Sequence, residues 1–169
     1  LPYGTHSGST GIYREGKGTT WEGGQRVPCI VWYPKEIKAK SEISNPLMGI
    51  DWVPTFASVT KAKLSNNKID GKNIWSTLTM ESKEDPHEAL FFYYHINSLH
   101  GVRYGDWKMY FPHRYRTLNG KEGRNDGKPI KYEYVNLEKR ELYNLKKDPS
   151  ENKNVFNQFP EIVKKIEAL

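Results

Sequence analysis

Residues 87–169 are predicted to form a small α+β domain, in which one helix covers an antiparallel sheet. Three observations predict this fold class. Short runs of aromatic and β-branched residues follow one another at 89–95, 99–104 and 107–111. Gly105 and Asp106, between the last two runs, form a favourable pair for a hairpin turn. The chain then closes on PEIVKKIEAL, where Pro160 can start a helix and apolar residues recur at helical spacing. Sequential strands followed by a helix indicate an antiparallel sheet with one helix packed on it.

The first half of the chain has a different pattern. Residues 1–26 are predicted to form a glycine-rich loop, since they have no sustained apolar period. The run VPCIVWYP, at 27–34, lies between prolines and predicts a short buried strand. The segment IDWVPTFASVTKA predicts a helix over 50–62 that begins at Asp51. The residues expected on one face of this helix are Val53, Phe56, Ala57 and Val59.

The predicted domain boundary lies in the polar segment that ends in SKEDPHE, which separates a first domain, 1–86, from a second, 87–169. Beyond the first hairpin, a long polar loop is predicted over 113–131, with six lysine and arginine residues against two acidic ones. YEYVNL and ELYNL supply two further strands. In the last helix, the residues expected on the buried stripe are Ile162, Val163, Ile166 and Leu169.

Alternation in WKMYF separates two faces of one strand. Trp107, Met109 and Phe111 are predicted to share one face, with Lys108 and Tyr110 on the other.

Composition restricts the possible partners. The net charge is +6 and the sequence pI is about 9.2. A basic chain favours anionic partners such as nucleic acid, anionic lipid, or a sulfated or phosphorylated substrate. No apolar segment approaches the roughly 20 residues that a membrane span needs. Cys29 is the only cysteine, which excludes an intrachain disulfide.

Several chemistries are excluded by spacing or context. Gly11 to Lys17 fits the phosphate-binding loop pattern, but Gly18 follows where Ser or Thr should bind magnesium, and the flanking strand and helix are absent. The five histidines lack the spacing of a metal site. There is no G-x-S-x-G nucleophile motif, and Cys29 lies within an apolar run, which is typical of an inert cysteine. No RNA-recognition or helix-turn-helix signature accompanies the basic charge, so nucleic acid is not the predicted partner.

The stretch EGKGTTWEGGQRVPCIVW places Lys17 between two glycines. Together with the preceding GTHSGSTGIYR, it resembles the segment that follows the metal-binding Asp-Asn pair in type I sulfatases. These are the formylglycine-dependent sulfatases of the arylsulfatase and galactosamine-6-sulfatase kind, within the alkaline phosphatase superfamily. IDWVPTF, IDGKNIWSTL, HGVRYGDWKMYF and ELYNLKKDPSENKNV are similar to further family segments, so the resemblance spans nearly the whole chain.

The resemblance implies an α/β fragment. Residues 1–86 would be the C-terminal end of the family's large catalytic α/β domain, and 87–169 its small C-terminal domain with an antiparallel sheet and a helix. The family's nucleophile is a formylglycine made within a Cys/Ser-x-Pro-x-Arg motif, which this sequence lacks. The aspartates that hold calcium in the family are also absent. The chain alone is therefore expected to be inactive, with calcium bound by the full-length parent and no cofactor in the fragment.

The resemblance also implies site residues. Lys17 matches the family lysine that binds the substrate sulfate beside the metal. His6 matches a histidine near the active centre, which could bind the sulfate or donate a proton. His100 begins the C-terminal hairpin and is a candidate for substrate binding at the pocket rim. Glu22 and Arg26, which flank Gly23 and Gly24, are expected to form an internal ion pair or backbone clamp.

The predicted function is that of a C-terminal sulfatase fragment acting on a sulfated carbohydrate or other sulfate ester. Two alternatives stay open, a fragment of a related phosphodiesterase or phosphonate hydrolase and a non-catalytic module that binds anionic glycans. The expected partners are the sulfated substrate and the N-terminal remainder of the large domain. The resemblance implies an exported protein, or a lysosomal one if the source is eukaryotic. The sequence has no N-glycosylation sequon, which favours a periplasmic or secreted bacterial protein.

Overall fold

The structure is a computed structural model that describes residues 8–124 and 126–169. The chain divides into two compact units. The sheet unit contains residues 8–28 and 89–169, and the intervening unit contains residues 29–88. None of the described helices is long and apolar enough to cross a membrane.

The sheet unit is an α+β structure with two antiparallel sheets. Its strands are β1 (Leu90–Tyr94), β2 (Ser98–Tyr104), β3 (Trp107–Tyr110), β4 (His113–Thr117), β5 (Glu133–Leu137) and β6 (Glu141–Asn144). Four of them form a sheet in the order β1-β2-β3-β6, and all neighbouring pairs are antiparallel. The predicted hairpin is confirmed, because β2 and β3 pair directly and Gly105 occupies the turn with a φ of 54°. The predicted antiparallel sheet with a C-terminal helix is therefore confirmed for this part of the chain.

Strands β4 and β5 form a separate two-stranded ribbon, in which His113 pairs with Leu137 and Thr117 with Glu133. The sequence predicted a loop from residue 113, and this was wrong for 113–117. The strand HRYRT alternates residues that face the interior with two arginines, so it lacks the apolar content by which a strand is usually recognised.

One face of the four-stranded sheet is covered by helix α4 (Pro160–Glu167), where the buried side chains of the sheet meet two from the helix. This cluster consists of Val102, Met109, Leu142, Val163 and Ile166, with Trp107, Phe111 and Ile162 packed against it. Burying each of these large side chains contributes roughly 1.5–3 kcal/mol. The prediction that Trp107, Met109 and Phe111 share a face is confirmed. Leu169, predicted on the same stripe, is exposed instead.

The opposite face of the sheet is also buried, by residues 14–26. Here Trp21 packs with Tyr110, Tyr143 and Leu145 in a second cluster. Both faces of β3 are therefore covered, so even Lys108 is buried.

The intervening unit contains a short 3₁₀ helix (Gly49–Asp51) and the helices α2 (Trp52–Thr60) and α3 (Trp75–Leu78). The predicted helix is confirmed as α2, although its buried residues are Pro54, Thr55 and Ala57, whereas Val53 and Phe56 are exposed.

The buried carboxylate of Asp51 joins separate segments of this unit. It accepts hydrogen bonds from the backbone N–H groups of Met48 at 2.8 Å and Lys72 at 2.9 Å, and it lies 2.8 Å from His87 Nε2.

The predicted strand at 27–34 was wrong. These residues are in irregular structure, and Val27, Ile30 and Trp32 are exposed. A strand needs a hydrogen-bonded neighbour, and no described segment pairs with this one.

Candidate functional site

The candidate site is the loop of residues 14–26, which contains Lys17 and lies on the sheet through Trp21. The indole ring is fully buried, and its centroid lies 4.1 Å from that of Tyr110. Tyr115 and Tyr143 contact it edge-on at 5.6 and 5.8 Å. The guanidinium carbon of Arg14 lies 3.6 Å from the indole centroid, a cation–π contact. Arg14 Nη1 also donates a 3.0 Å hydrogen bond to the Glu151 carbonyl oxygen. This end of the loop is therefore bound to the sheet by stacking and hydrogen bonding together.

A buried ion pair secures the other end of the loop. Lys108 Nζ donates to Glu22 Oε1 at 2.7 Å and to the Thr20 carbonyl oxygen at 2.8 Å. The two charged side chains are 0% and 4% exposed. Arg26 and Arg103 each lie 3.9 Å from the second oxygen of Glu22. A charge is tolerated in an interior only when it is paired and hydrogen-bonded, and Lys108 satisfies both conditions. The ion pair expected between Glu22 and Arg26 is thus one edge of a larger network.

Glu151 completes this network from the turn after β6. Its Oε2 accepts a 2.8 Å hydrogen bond from the Glu22 backbone N–H, and its Oε1 accepts a 2.5 Å hydrogen bond from the Tyr110 hydroxyl. Burial raises the pKa of Glu151, although Lys108 at 4.0 Å opposes this. Burial, followed by the nearby carboxylate of Glu151, raises the pKa of Tyr110 well above its ordinary value. Sequence reasoning assigned no role to Lys108 or Glu151, although both lie in the family-like segments HGVRYGDWKMYF and ELYNLKKDPSENKNV.

Two glycines allow the loop to fold back on itself. A Cβ at Gly24 would lie 2.3 Å from the Thr19 carbonyl oxygen, and one at Gly23 would lie 2.4 Å from that of Glu15. Both distances are far shorter than any real carbon–oxygen contact, so only glycine fits. These residues belong to the short helix α1 (Glu22–Gln25), and Gly23 N–H donates to the Arg14 carbonyl oxygen at 2.9 Å. The fold-back leaves Gly16, Lys17 and Gly18 at the far end of the loop, here called the loop tip.

At the loop tip the Lys17 side chain is exposed, and its ammonium has no hydrogen bond or ion pair with any described residue. Its carbonyl oxygen accepts a 3.0 Å hydrogen bond from Arg116 Nη2. The guanidinium occupies the space beside Gly18, where a Cβ would lie only 1.6 Å from Nη2. Gly18 also has a φ of 94°, which residues with a side chain rarely adopt.

A small open pocket adjoins the loop tip. It is lined by Glu15, Gly16, Lys17, Thr19, Arg116, Leu118 and Tyr132. All of these residues belong to the sheet unit.

The other charged side chains of the loop all have partners. Glu15 Oε1 accepts a 2.6 Å hydrogen bond from the Thr117 hydroxyl. Arg26 lies over the Tyr13 ring at 4.7 Å, in addition to its contact with Glu22. Arg14 and Glu22 belong to the contacts with the sheet described above. Among the charged residues of 14–26, Lys17 alone presents an unpaired charge to the described part of the molecule.

Of the two predicted site histidines, the structure describes only His100. His6 lies outside the described residues, so its role stays a prediction. His100 is 3% exposed and stacks on His113 with ring centroids 3.9 Å apart. Burial lowers the pKa of His100 to about 4, and the nearby His113 and His95 act in the same direction. His100 does not line the pocket beside Lys17, and its proposed contact with substrate remains untested.

The described residues do not offer a metal centre. Over 8–124 and 126–169, no group of three or more His, Cys, Asp or Glu side chains could hold a metal ion. Asp51 and His87 form an isolated pair in the intervening unit. Cys29 is exposed and unbonded.

Comparison with known proteins identifies the family. The family described as N-sulphoglucosamine sulphohydrolase, C-terminal, matches residues 10–168. Human arylsulfatase A is 31% identical over 176 residues, which cover 98% of this chain and 34% of that protein. Human steryl-sulfatase is 38% identical over 113 residues, covering 63% of this chain and 19% of that protein. The chain thus spans about a third or less of the length of these relatives.

Solved structures agree with this assignment. A sulfatase structure reported with the metabolism of glycosaminoglycans by Bacteroides thetaiotaomicron superposes with a TM-score of 0.71 and 28% identity, over 94% of this chain and 31% of that one. A second solved structure, of a protein in complex with its substrate D-glucosamine-2-N,6-O-disulfate, has a TM-score of 0.53 and 25% identity, over 80% of this chain and 25% of that one. With its loop tip, sheet and closing helix all inside the matched region, the chain belongs to the sulfatase family, as a member of the N-sulphoglucosamine sulphohydrolase C-terminal group.

Proposed function

We propose that this chain is the C-terminal part of a sulfatase that hydrolyses a sulfated carbohydrate, and that Lys17 binds the sulfate group undergoing hydrolysis. The single observation that supports this role most strongly is the Lys17 ammonium, which has no partner among residues 8–124 and 126–169. The remaining charges of the same loop are engaged by the sheet and by each other. A loop held at both ends, with a cation at its tip that no described residue pairs with, is suited to bind an anion without rearranging.

The chemistry of sulfate esters explains why a lysine suits this position. As the bond between sulfur and the leaving oxygen breaks, negative charge increases on the oxygen atoms. An ammonium group is a compact charge with three donors, and it can stabilise that charge from a fixed position. The contacts of Trp21 and Glu22 with the sheet hold the loop backbone in place before substrate arrives. The proposed contribution of this chain is therefore binding and electrostatic stabilisation of the sulfate.

The nucleophile and the metal ligands are proposed to lie in the remainder of the enzyme. In the type I sulfatases that this chain resembles, a hydrated formylglycine attacks sulfur and calcium neutralises charge on the sulfate. The described residues do not fit a calcium site, since they lack a cluster of oxygen ligands. Calcium and formylglycine are accordingly assigned to the full-length parent, and this chain alone is expected to be inactive.

The domain assignment is part of the same proposal. We assign residues 1–86 to the end of a large α/β domain and 87–169 to the small C-terminal domain. The packing of residues 8–28 on the sheet of 89–169 supports a design in which the small domain supports the active-site loop of the large one. A sulfated sugar as substrate is supported by the disulfated glucosamine bound to one of the similar structures. A periplasmic, secreted or lysosomal location is proposed with it, because sulfated glycans are found outside the cytoplasm.

The test is kinetic and uses the enzyme in which this chain is joined to its N-terminal remainder. Lys17→Ala should lower kcat towards a chromogenic sulfate ester by roughly 10²–10³-fold, as when one oxyanion donor is removed. Lys17→Arg should retain little of the original kcat, because a planar guanidinium does not replace the compact charge of an ammonium. Lys164, an exposed lysine on α4, provides the matched control, and Lys164→Ala should leave kcat unchanged.

The alternatives give different results in the same assay. A phosphodiesterase or phosphonate hydrolase would hydrolyse the matching phosphorus ester faster than the sulfate ester. A non-catalytic module would bind a sulfated glycan and hydrolyse neither. A normal kcat in a well-folded Lys17→Ala enzyme would show that Lys17 is only a surface lysine.

A further inference from the structure

Arg116 has more hydrogen-bonding capacity than the described residues use. A guanidinium has five N–H donors. One of them, on Nη2, donates to the Lys17 carbonyl oxygen at 3.0 Å. Arg116 Nε is buried and has no hydrogen-bond partner among the described residues. The guanidinium therefore has N–H donors that the described residues do not use, and a charged donor group of this kind can bind an anion.

Arg116 contacts the loop tip from β4, although it alternates with the residues of that strand that face the interior. Residues 113, 115 and 117 face the interior, where Tyr115 packs on Trp21 and Thr117 binds Glu15. The two arginines lie on the other face of the strand. Arg116 lies over the ring of Tyr132 at 4.7 Å, and Arg114 over that of Tyr134 at 4.5 Å. The two arginines therefore have the same strand, charge and type of aromatic contact.

Only one of these two arginines adjoins Lys17. Arg116 lines the pocket together with Lys17 and Tyr132, whereas Arg114 does not line it. Gly18 makes this possible, because any side chain there would occupy the space of the guanidinium. The pocket thus brings together an ammonium, a guanidinium with unused donors, and an aromatic ring.

We propose that Arg116 is a substrate-binding residue that takes a second anionic oxygen group of the substrate, a sulfate or a carboxylate, while Lys17 binds the sulfate to be removed. This inference rests on the proposed function. It specifies the substrate class as a sugar with at least two anionic groups. A guanidinium suits this role because its fork matches the oxygens of a sulfate or carboxylate, and Tyr132 supplies a surface against which a sugar ring can pack.

The experiment measures binding to the chain itself and does not depend on hydrolysis. Titration calorimetry compares three probes: glucosamine 2-N,6-O-disulfate, glucosamine 6-O-sulfate, and a 6-O-sulfated glucosamine joined to a uronic acid. Arg116→Gln should weaken binding of the disulfated probe by about tenfold, the loss of one charge-assisted hydrogen bond at a partly exposed site. Binding of the monosulfated probe should change by less than about twofold, because it has no second anionic group for Arg116. The third probe shows whether a carboxylate replaces the second sulfate.

Arg114→Gln is the matched control, and it should leave the affinities for all three probes unchanged. Arg116→Lys retains the positive charge but lacks the planar guanidinium. It should therefore weaken binding of the disulfated probe less than Arg116→Gln does. It also serves as the test variant if Arg116→Gln unfolds in a thermal melt. If Arg116→Gln lost the same affinity for the mono- and disulfated probes, the inference would be overturned, because Arg116 would then only support the loop. Three other results would overturn it as well. They are an unchanged affinity of Arg116→Gln for the disulfated probe, an equal loss of affinity in Arg114→Gln, and no binding of the disulfated probe at millimolar concentration.

An enzyme that fails to hydrolyse sulfate esters would refute the proposed function but leave these binding results intact. The two proposals therefore fail separately.

Discussion

Replacement of Lys108 by methionine tests whether the buried ion pair holds the candidate site on the sheet. Lys108 is 0% exposed and donates to Glu22 at 2.7 Å. Methionine fills nearly the same volume and introduces no polar group, so the main effect is the loss of charge. The carboxylate of Glu22 would then be buried without its direct partner. Breaking such a pair costs about 3–5 kcal/mol of unfolding free energy. Arg26 and Arg103 still lie 3.9 Å from the second oxygen of Glu22. We therefore expect the unfolding free energy to fall by about 3 kcal/mol, the lower end of this range.

The assay is urea denaturation of the chain followed by tryptophan fluorescence, together with hydrogen exchange. Exchange of the amides of 14–26 should accelerate more than that of β2 and β3, because the loop loses a contact that the sheet retains. Lys121→Met is the matched control. Lys121 pairs with Glu133, but the two side chains are 57% and 39% exposed. Its replacement should cost no more than about 1 kcal/mol.

A double substitution separates the unpaired charge from simple loss of packing. Lys108→Met combined with Glu22→Gln removes both charges and should recover part of the lost stability. The reasoning would be refuted if Lys108→Met cost no more than Lys121→Met, or if loop exchange were unchanged. Either result would mean that the other contacts of the loop, such as those of Trp21 and Glu151, hold it without this ion pair.

Two further predictions concern packing and pH. Gly24→Ala should destabilise the chain by about 1–3 kcal/mol in a thermal melt, since its Cβ would lie 2.3 Å from the Thr19 carbonyl oxygen. Gly49→Ala is the control and should be nearly neutral, because a Cβ at Gly49 would lie in open space. The pKa of His100 is about 4 in the folded chain against an ordinary 6.5, so the unfolded chain binds a proton that the folded chain excludes. Stability should therefore fall as the pH drops from 6.5 to about 4 and then level off, and a His100→Phe variant should lack this part of the pH dependence. The measurement is the unfolding free energy from denaturation at several pH values between about 4 and 6.5. If it changed with pH equally in the original chain and in His100→Phe, the assignment of this pH dependence to His100 would be contradicted.

Local patterns were sufficient for much of the fold. The hairpin of β2 and β3 was predictable because a glycine turn joins two alternating strands, and α4 because a proline start precedes an apolar stripe. Local patterns failed where a strand depends on its neighbour. The apolar run at 27–34 has no described strand beside it and forms none, whereas the polar segment 113–117 is a strand because β5 pairs with it.

The site divides in the same way. Lys17 could be proposed as a sulfate-binding residue from the order of residues around it, since a glycine-flanked lysine within a long family motif is a local feature. The partners of the loop could not be identified in this way. The pairing of Glu22 with Lys108, and the approach of Arg116 to a carbonyl 99 residues earlier, depend on how distant segments pack. Spacing along the chain says which charges exist, but a charge becomes paired or free only when folding brings its neighbours together. Tertiary structure therefore decided that Lys17 has no partner in the described part of the chain and that Arg116 lies beside it.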